Sequence, residues 1–116
     1  MHVKIFHNPR CSKSRATLAL LQERGLQPTV VEYLKTPPSV EELDEVLRKL
    51  GLAPRDILRK GEAAYGESGA DDPNLSAAAL LERLVAFPVL IERPIVVVGE
   101  RAAIGRPPEA VLEILP

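Results

Sequence analysis

The groups in this chain best suited to chemistry are one thiol and three guanidiniums. Cys11 is the only cysteine, and it lies in a polar, basic run, His7-Asn8-Pro9-Arg10-Cys11-Ser12-Lys13-Ser14-Arg15. A lone cysteine is commonly an inert core filler, but Arg10, Ser12 and Lys13 are the wrong neighbours for a core. The run follows a short apolar stretch, Val3-Lys4-Ile5-Phe6, and opens an amphipathic one, Ala16 to Arg24. A thiol at a strand-to-helix turn faces the positive end of a helix dipole and amide N–H groups without intrahelical partners. Both features favour the thiolate, which is the reactive form.

Arginine suits a thiolate that attacks a tetrahedral oxyanion, because its planar fork matches two oxygens at once. Arg59 ends the short turn Ile57-Leu58-Arg59-Lys60, Arg93 precedes Pro94 and an apolar strand, and Arg106 stands before Pro107-Pro108. An arginine is ordinarily a solvated surface charge. At the mouth of an apolar element, as at Arg93 and Arg106, a charge is more often held for a purpose. Other chemistries are excluded by spacing. The Cys-x5-Arg pattern of a phosphatase loop fails, since Thr17 stands where the arginine belongs. Ser14 occupies the second position of a Cys-x-x-Cys pair. One cysteine and two histidines near the N-terminus do not make a conventional zinc site, so no metal is expected. No Walker or dinucleotide-binding glycine pattern occurs.

The elements that must position these groups follow from pattern and punctuation. Val3 to Phe6 reads as a strand. A helix is expected from Cys11 or Ser12 to Arg24, with Leu18, Leu21, Ala16 and Ala19 inward and Gly25 just past its end. Thr29 to Tyr33 is a second strand, and strand-helix-strand at this spacing is a βαβ unit with parallel strands. Ser39 with Glu42 is a capping box opening a helix that carries Leu43, Val46, Leu47 and Leu50 inward and stops at Gly51. A short helical turn covers Pro54 to Lys60. Residues 61–75 read as an exposed loop or partly helical insert, and Ser76 to Ala86 as a helix with Leu80, Leu81 and Leu84 inward. Ile95 to Val98 is a strand buried on both faces. Gly99-Glu100 makes a two-residue hairpin with glycine first, and Arg101 to Ile104 returns antiparallel. A last helix starts at Pro107-Pro108 with Val111, Leu112, Ile114 and Leu115 as its packing stripe. The order β-α-β, helices, β-β-α describes an α/β protein: a thioredoxin-like, mixed four-stranded sheet flanked by helices, with a helical insertion.

The 116 residues suit a single domain over 1–116, and 46% apolar content is enough for one core. Fifteen basic and sixteen acidic residues give a net charge of -1, so there is no bulk electrostatic reason to expect nucleic acid or a membrane as partner. No apolar run reaches the roughly 18–20 residues of a membrane span. The start lacks the pattern of a signal peptide, and a single cysteine gives no sign of an oxidising compartment. The cytoplasm is therefore the expected location.

Taken together, His7-Asn8-Pro9-Arg10-Cys11, Ser14-Arg15, Tyr33-Leu34-Lys35-Thr36-Pro37-Pro38, Leu58-Arg59-Lys60, Glu92-Arg93-Pro94-Ile95-Val96-Val97 and Gly105-Arg106-Pro107-Pro108-Glu109 resemble the glutaredoxin-coupled arsenate reductase family over essentially the full length. The resemblance implies a thioredoxin-like fold and reduction of arsenate to arsenite, with glutathione as co-substrate, glutaredoxin as partner and no bound cofactor. It implies that Cys11 is the nucleophile and that Arg59, Arg93 and Arg106 form the triad that binds the oxyanion. It places His7 and Ser14 beside the nucleophile, where they tune its pKa. A hydrogen-bonded structural role for His7, and a first-turn role satisfying backbone amides for Ser14, stay open. The resemblance also implies a cis Arg93–Pro94 bond. The turn Cys11-Ser12-Lys13-Ser14 departs from the Cys-Gly-Thr-Ser of the better-known members and is similar to a side branch. Two other classes share these features: a general glutathione-dependent thiol-disulfide oxidoreductase, and an Spx-like regulatory binding module, which ordinarily carries the Cys-x-x-Cys switch that Ser14 removes.

Overall fold

A computed structural model describes residues 2–116. The chain forms two compact units, one made of residues up to Thr36 together with Arg93–Pro116, the other of Pro37–Glu92.

The first unit is built on a four-stranded sheet, β1 (Val3–Phe6), β2 (Thr29–Val31), β3 (Ile95–Val98) and β4 (Arg101–Ile104), in the order β2-β1-β3-β4. β1 and β2 are parallel, with Ile5 opposite Val30, and are joined by helix α1 (Ser12–Glu23). β3 runs antiparallel to both β1 and β4, so the sheet is mixed. The thioredoxin-like plan expected from the element order is the plan observed. At the β3–β4 hairpin Gly99 takes φ +58°, and among the described residues only glycines have positive φ. That is the reason glycine leads a two-residue turn whose twist must match the strands. Val3 and Ile5, Val96 and Val98 alternate onto one face, where Leu21 of α1 and Val111 and Ile114 pack on them.

Three elements differ from expectation. β2 ends at Val31, and Tyr33 is buried outside it, because Lys35 and Thr36 donate to the Glu32 carbonyl and turn the chain away. The C-terminal segment Pro108–Ile114 is a 3-10 helix. With three residues per turn, Val111 and Ile114 eclipse and are buried, while Leu112 and Leu115 are only half-buried. In α1 the inward residues are Ser14, Thr17 and Leu21, and Ala16 and Ala19 are exposed. Buried hydroxyls are tolerated there because both are satisfied: Thr17 Oγ1 donates to the Lys13 carbonyl at 2.8 Å, and Ser14 is held as described below.

The second unit is helical, with α2 (Val40–Leu50), a 3-10 turn Pro54–Ile57, α3 (Ala63–Glu67), α4 (Ala77–Ala86) and a 3-10 turn Pro88–Leu90. Ser39 caps α2 by accepting from the Glu42 amide at 3.1 Å. Leu43, Val46 and Leu47 are buried from α2, and Leu80, Leu81 and Leu84 from α4. Between Glu62 and Leu75 the backbone is partly helical, tied down by Arg55, which donates to the carbonyls of Asp72, Pro73 and Leu75. Among the described residues no helix is long and apolar enough to cross a membrane.

Candidate active site

Cys11 sits between β1 and α1, at the N-cap position. The turn that delivers it is closed by the Cys11 amide donating to the Asn8 carbonyl at 3.0 Å. Proline at position 9 and the Asn8 side chain, which accepts from the Arg10 amide at 3.0 Å, fix the same turn. Cys11 is 9% exposed, yet its cover is polar. Arg106 Nη1 lies 3.9 Å from Sγ. Burial pushes the thiol up, but the Ser14 amide, the Arg93 charge, the Lys13 amide and the Arg106 guanidinium outweigh it and hold the thiol below its ordinary value of 9.0. The amides are those of the second and third residues of α1, the unpartnered donors that an N-cap side chain ordinarily engages. The sequence pointed to them through the strand-to-helix turn, without naming which two.

Arg93 and Arg106 flank the hairpin formed by β3 and β4. Arg106 Nη1 also donates to the Arg93 carbonyl at 3.3 Å, so the two residues are tied to one another. The Arg93–Pro94 bond is cis, as expected, and so is Arg106–Pro107. Gly105 is what brings Arg106 in so closely. Its amide donates to the Pro94 carbonyl at 3.0 Å. A Cβ there would overlap Thr17 Oγ1 and approach Pro94 Cγ to 2.8 Å. Gly105→Ala is therefore expected to cost about 1–3 kcal/mol through overpacking and to weaken oxyanion binding by displacing Arg106. Urea unfolding reads the first effect, and an unchanged midpoint would mean that Thr17 gives way freely.

His7 and Ser14 stand together beside the nucleophile. His7 is 6% exposed and its Nδ1 lies 2.6 Å from Ser14 Oγ, which also accepts from the Asn8 amide at 3.0 Å. Desolvation holds the imidazole below its ordinary 6.5, against the opposing pull of Glu32 and with a smaller contribution from Arg15. A neutral His7 shares one hydrogen bond between its Nδ1 and the Ser14 hydroxyl, in a direction set by the imidazole tautomer. Ser14 thereby joins β1 to α1 through its hydroxyl, while its amide faces the sulfur. The resemblance places both residues beside the nucleophile, and the hydrogen bond between them is what the structure adds.

Of the six residues singled out in the sequence, Cys11, Arg93, Arg106, His7 and Ser14 come together in the first unit. Arg59 belongs to the second. Its backbone is pinned by a bridge in which its amide donates to the Leu90 carbonyl and the Glu92 amide to the Ile57 carbonyl, both at 2.8 Å. Its guanidinium pairs with Glu62 at 2.8 Å and donates to the Val89 carbonyl at 3.3 Å. Glu62, three positions after Arg59 and at the N-cap of α3, is a partner that the spacing alone does not reveal, because Arg59 itself lies outside the helix.

The family model described as "ArsC family" matches residues 6–114. The chain is 52% identical over 114 residues to an arsenate reductase of Neisseria meningitidis, covering 97% of each. It is 48% identical over 116 residues to an arsenate reductase of Haemophilus influenzae, covering 99% of this chain and 100% of that one. Among solved structures, an arsenate reductase from Vibrio cholerae matches with a TM-score of 0.95 at 52% identity, covering 99% of this chain and 98% of that one.

Proposed function

The chain belongs to the ArsC family, and from that membership we propose that it reduces arsenate to arsenite by a covalent route through Cys11, using glutathione and glutaredoxin. The observation that carries this reading is the Arg106 guanidinium 3.9 Å from the sulfur of a thiol held below its ordinary pKa. A thiolate beside cations aligned for oxygen is suited to attack the central atom of an oxyanion.

In the first step the Cys11 thiolate attacks arsenic. An S–As bond forms and one arsenate oxygen leaves as hydroxide, with arsenic still pentavalent. Arg93 and Arg106 offset the negative charge on the remaining oxygens. Arg59 occupies the family's third arginine position by sequence alone. Glutathione then displaces a second oxygen as water and forms a second S–As bond. A glutaredoxin thiolate attacks the glutathione sulfur. The two sulfurs are oxidised to a mixed disulfide, and the electron pair of the broken S–As bond reduces arsenic to the trivalent state. Water attacks the trivalent arsenic, and arsenite leaves with the Cys11 thiolate regenerated. The external thiols are required by electron count, because Cys11 has no second cysteine with which to close a disulfide. Such a reaction needs a reducing compartment, which supports a cytoplasmic site of action.

The test is a coupled assay with glutathione and glutaredoxin, supplied with arsenate in one arm and a small disulfide in the other. Turnover with arsenate is the expected result. Turnover confined to the disulfide would overturn the reading in favour of a general thiol-disulfide oxidoreductase.

A further inference from the structure

A groove of about 220 Å³ lies against the turn that carries Cys11. Its walls come from His7 to Arg10 on one side and from Glu32, Leu34 and Lys35 on the other. We propose that this groove seats the thiol co-substrate, an anionic tripeptide of the glutathione type, by its charged ends. Nothing in the reaction at arsenic uses Arg10, Glu32 or Lys35, yet the three stand together beside the nucleophile's own turn. Their charges are two positive and one negative. Glutathione presents the opposite set, two carboxylates and one ammonium. Pro9 and Leu34, which is 41% exposed, supply an apolar strip of the kind that covers a peptide's methylenes.

The charged groups are available at little cost. Lys35 and Glu32 pair at 3.5 Å, but their side chains are 80% and 41% exposed. An ion pair so hydrated is weak, so each partner is readily exchanged for a ligand group. Arg10 is exposed as well. A volume of about 220 Å³ is below that of pockets enclosing a whole drug-sized ligand. The groove therefore holds the charged ends of the tripeptide and leaves the thiol of its central residue outside. Cys11 and Asn8 are the ends of one hydrogen-bonded turn, so their Cα atoms stand within about 7 Å. A tripeptide held on this turn keeps its sulfur near that of Cys11.

The proposal rests on the arsenate reading only for what the thiol does once bound, and the experiment separates the two. S-methylglutathione, which cannot react, is titrated by calorimetry into the wild type and into the Arg10→Glu/Lys35→Glu double variant. Binding to the wild type that falls about tenfold or more in the variant is the expected result, since two charge-assisted contacts become repulsive. In the coupled assay the variant should show a matching rise in KM for glutathione. Its KM for arsenate and its rate with 2-mercaptoethanol should stay within twofold. A KM for glutathione unchanged in the variant, or S-methylglutathione binding equally to both proteins or to neither, overturns the proposal. Absence of arsenate turnover in a wild type that still binds S-methylglutathione would sink the reaction and leave the groove standing. Glu32 is left intact because it faces His7, and changing it would disturb the nucleophile's surroundings.

Discussion

Cys11→Ser is expected to abolish arsenate turnover, lowering kcat by about a thousandfold or more, with the fold intact. Losses of that size or larger follow removal of a nucleophile whose other machinery is left in place. A serine hydroxyl beside Arg106 does not ionise near neutral pH, whereas the Cys11 thiol is held below its ordinary 9.0 by the Ser14 and Lys13 amides and by Arg93 and Arg106, against its burial. No second cysteine can substitute. The substitution removes little volume at a site that is 9% exposed. It also places at the N-cap of α1 a residue that serves there better than cysteine, which makes no full cap hydrogen bond. Thermal unfolding should therefore be unchanged or slightly improved, and anion binding should survive. Turnover within tenfold of the wild type would end the covalent scheme.

Arg106→Ala and Arg93→Ala are expected to be the next most damaging changes, each losing about 10- to 1000-fold in kcat/KM for arsenate. Arg106 acts twice, through its guanidinium 3.9 Å from the sulfur and through its bond to the Arg93 carbonyl. Both charges lower the Cys11 pKa, so both variants should raise it. Because the deprotonated form reacts, the rate climbs with pH and levels off above the thiol pKa. In the wild type the rise should be centred below pH 9.0, and in either variant it should move upward. Thiolate ultraviolet absorbance against pH, recorded with and without sulfate, reads the pKa and the anion site together. Arg106→Lys should restore part of the pKa shift but little of the oxyanion affinity, since an ammonium offers charge without the two-pronged fork. A pH profile unmoved by Arg93→Ala, with full anion affinity, would remove Arg93 from the site.

Several features were legible because their causes are local. Ser39 caps α2 through a donor three residues away, and Gly99 leads its turn because the hairpin needs positive φ at that position. The apolar run Ile95 to Val98 is a buried strand for the same kind of reason: four consecutive β-branched residues have few other uses in a short segment. Inside α1 the local pattern misled. Ala16 and Ala19 look like a packing stripe, but the buried face is set by Ser14 and Thr17. Those two turn inward because His7, Asn8 and Gly105 wait for them, and none of these belongs to the helix. The C-terminal segment has the pattern of an ordinary helix for a similar reason, since apolar spacing alone does not separate a 3-10 turn from an α-helical one.

The thiol and the sign of its surroundings were set by the sequence: one cysteine, a strand-to-helix turn, amides left without helical partners, and basic neighbours. What brings Arg106 to that sulfur is a different matter, because 95 positions separate the two residues. That approach depends on β1 pairing with β3, on β3 folding back into β4, and on Gly105 having no side chain to hold the hairpin's end away from α1. Hydrogen bonds and turns within a few residues write themselves into composition and spacing. A guanidinium placed on a distant sulfur is fixed only by the registers of a folded sheet, which no single stretch of the chain contains.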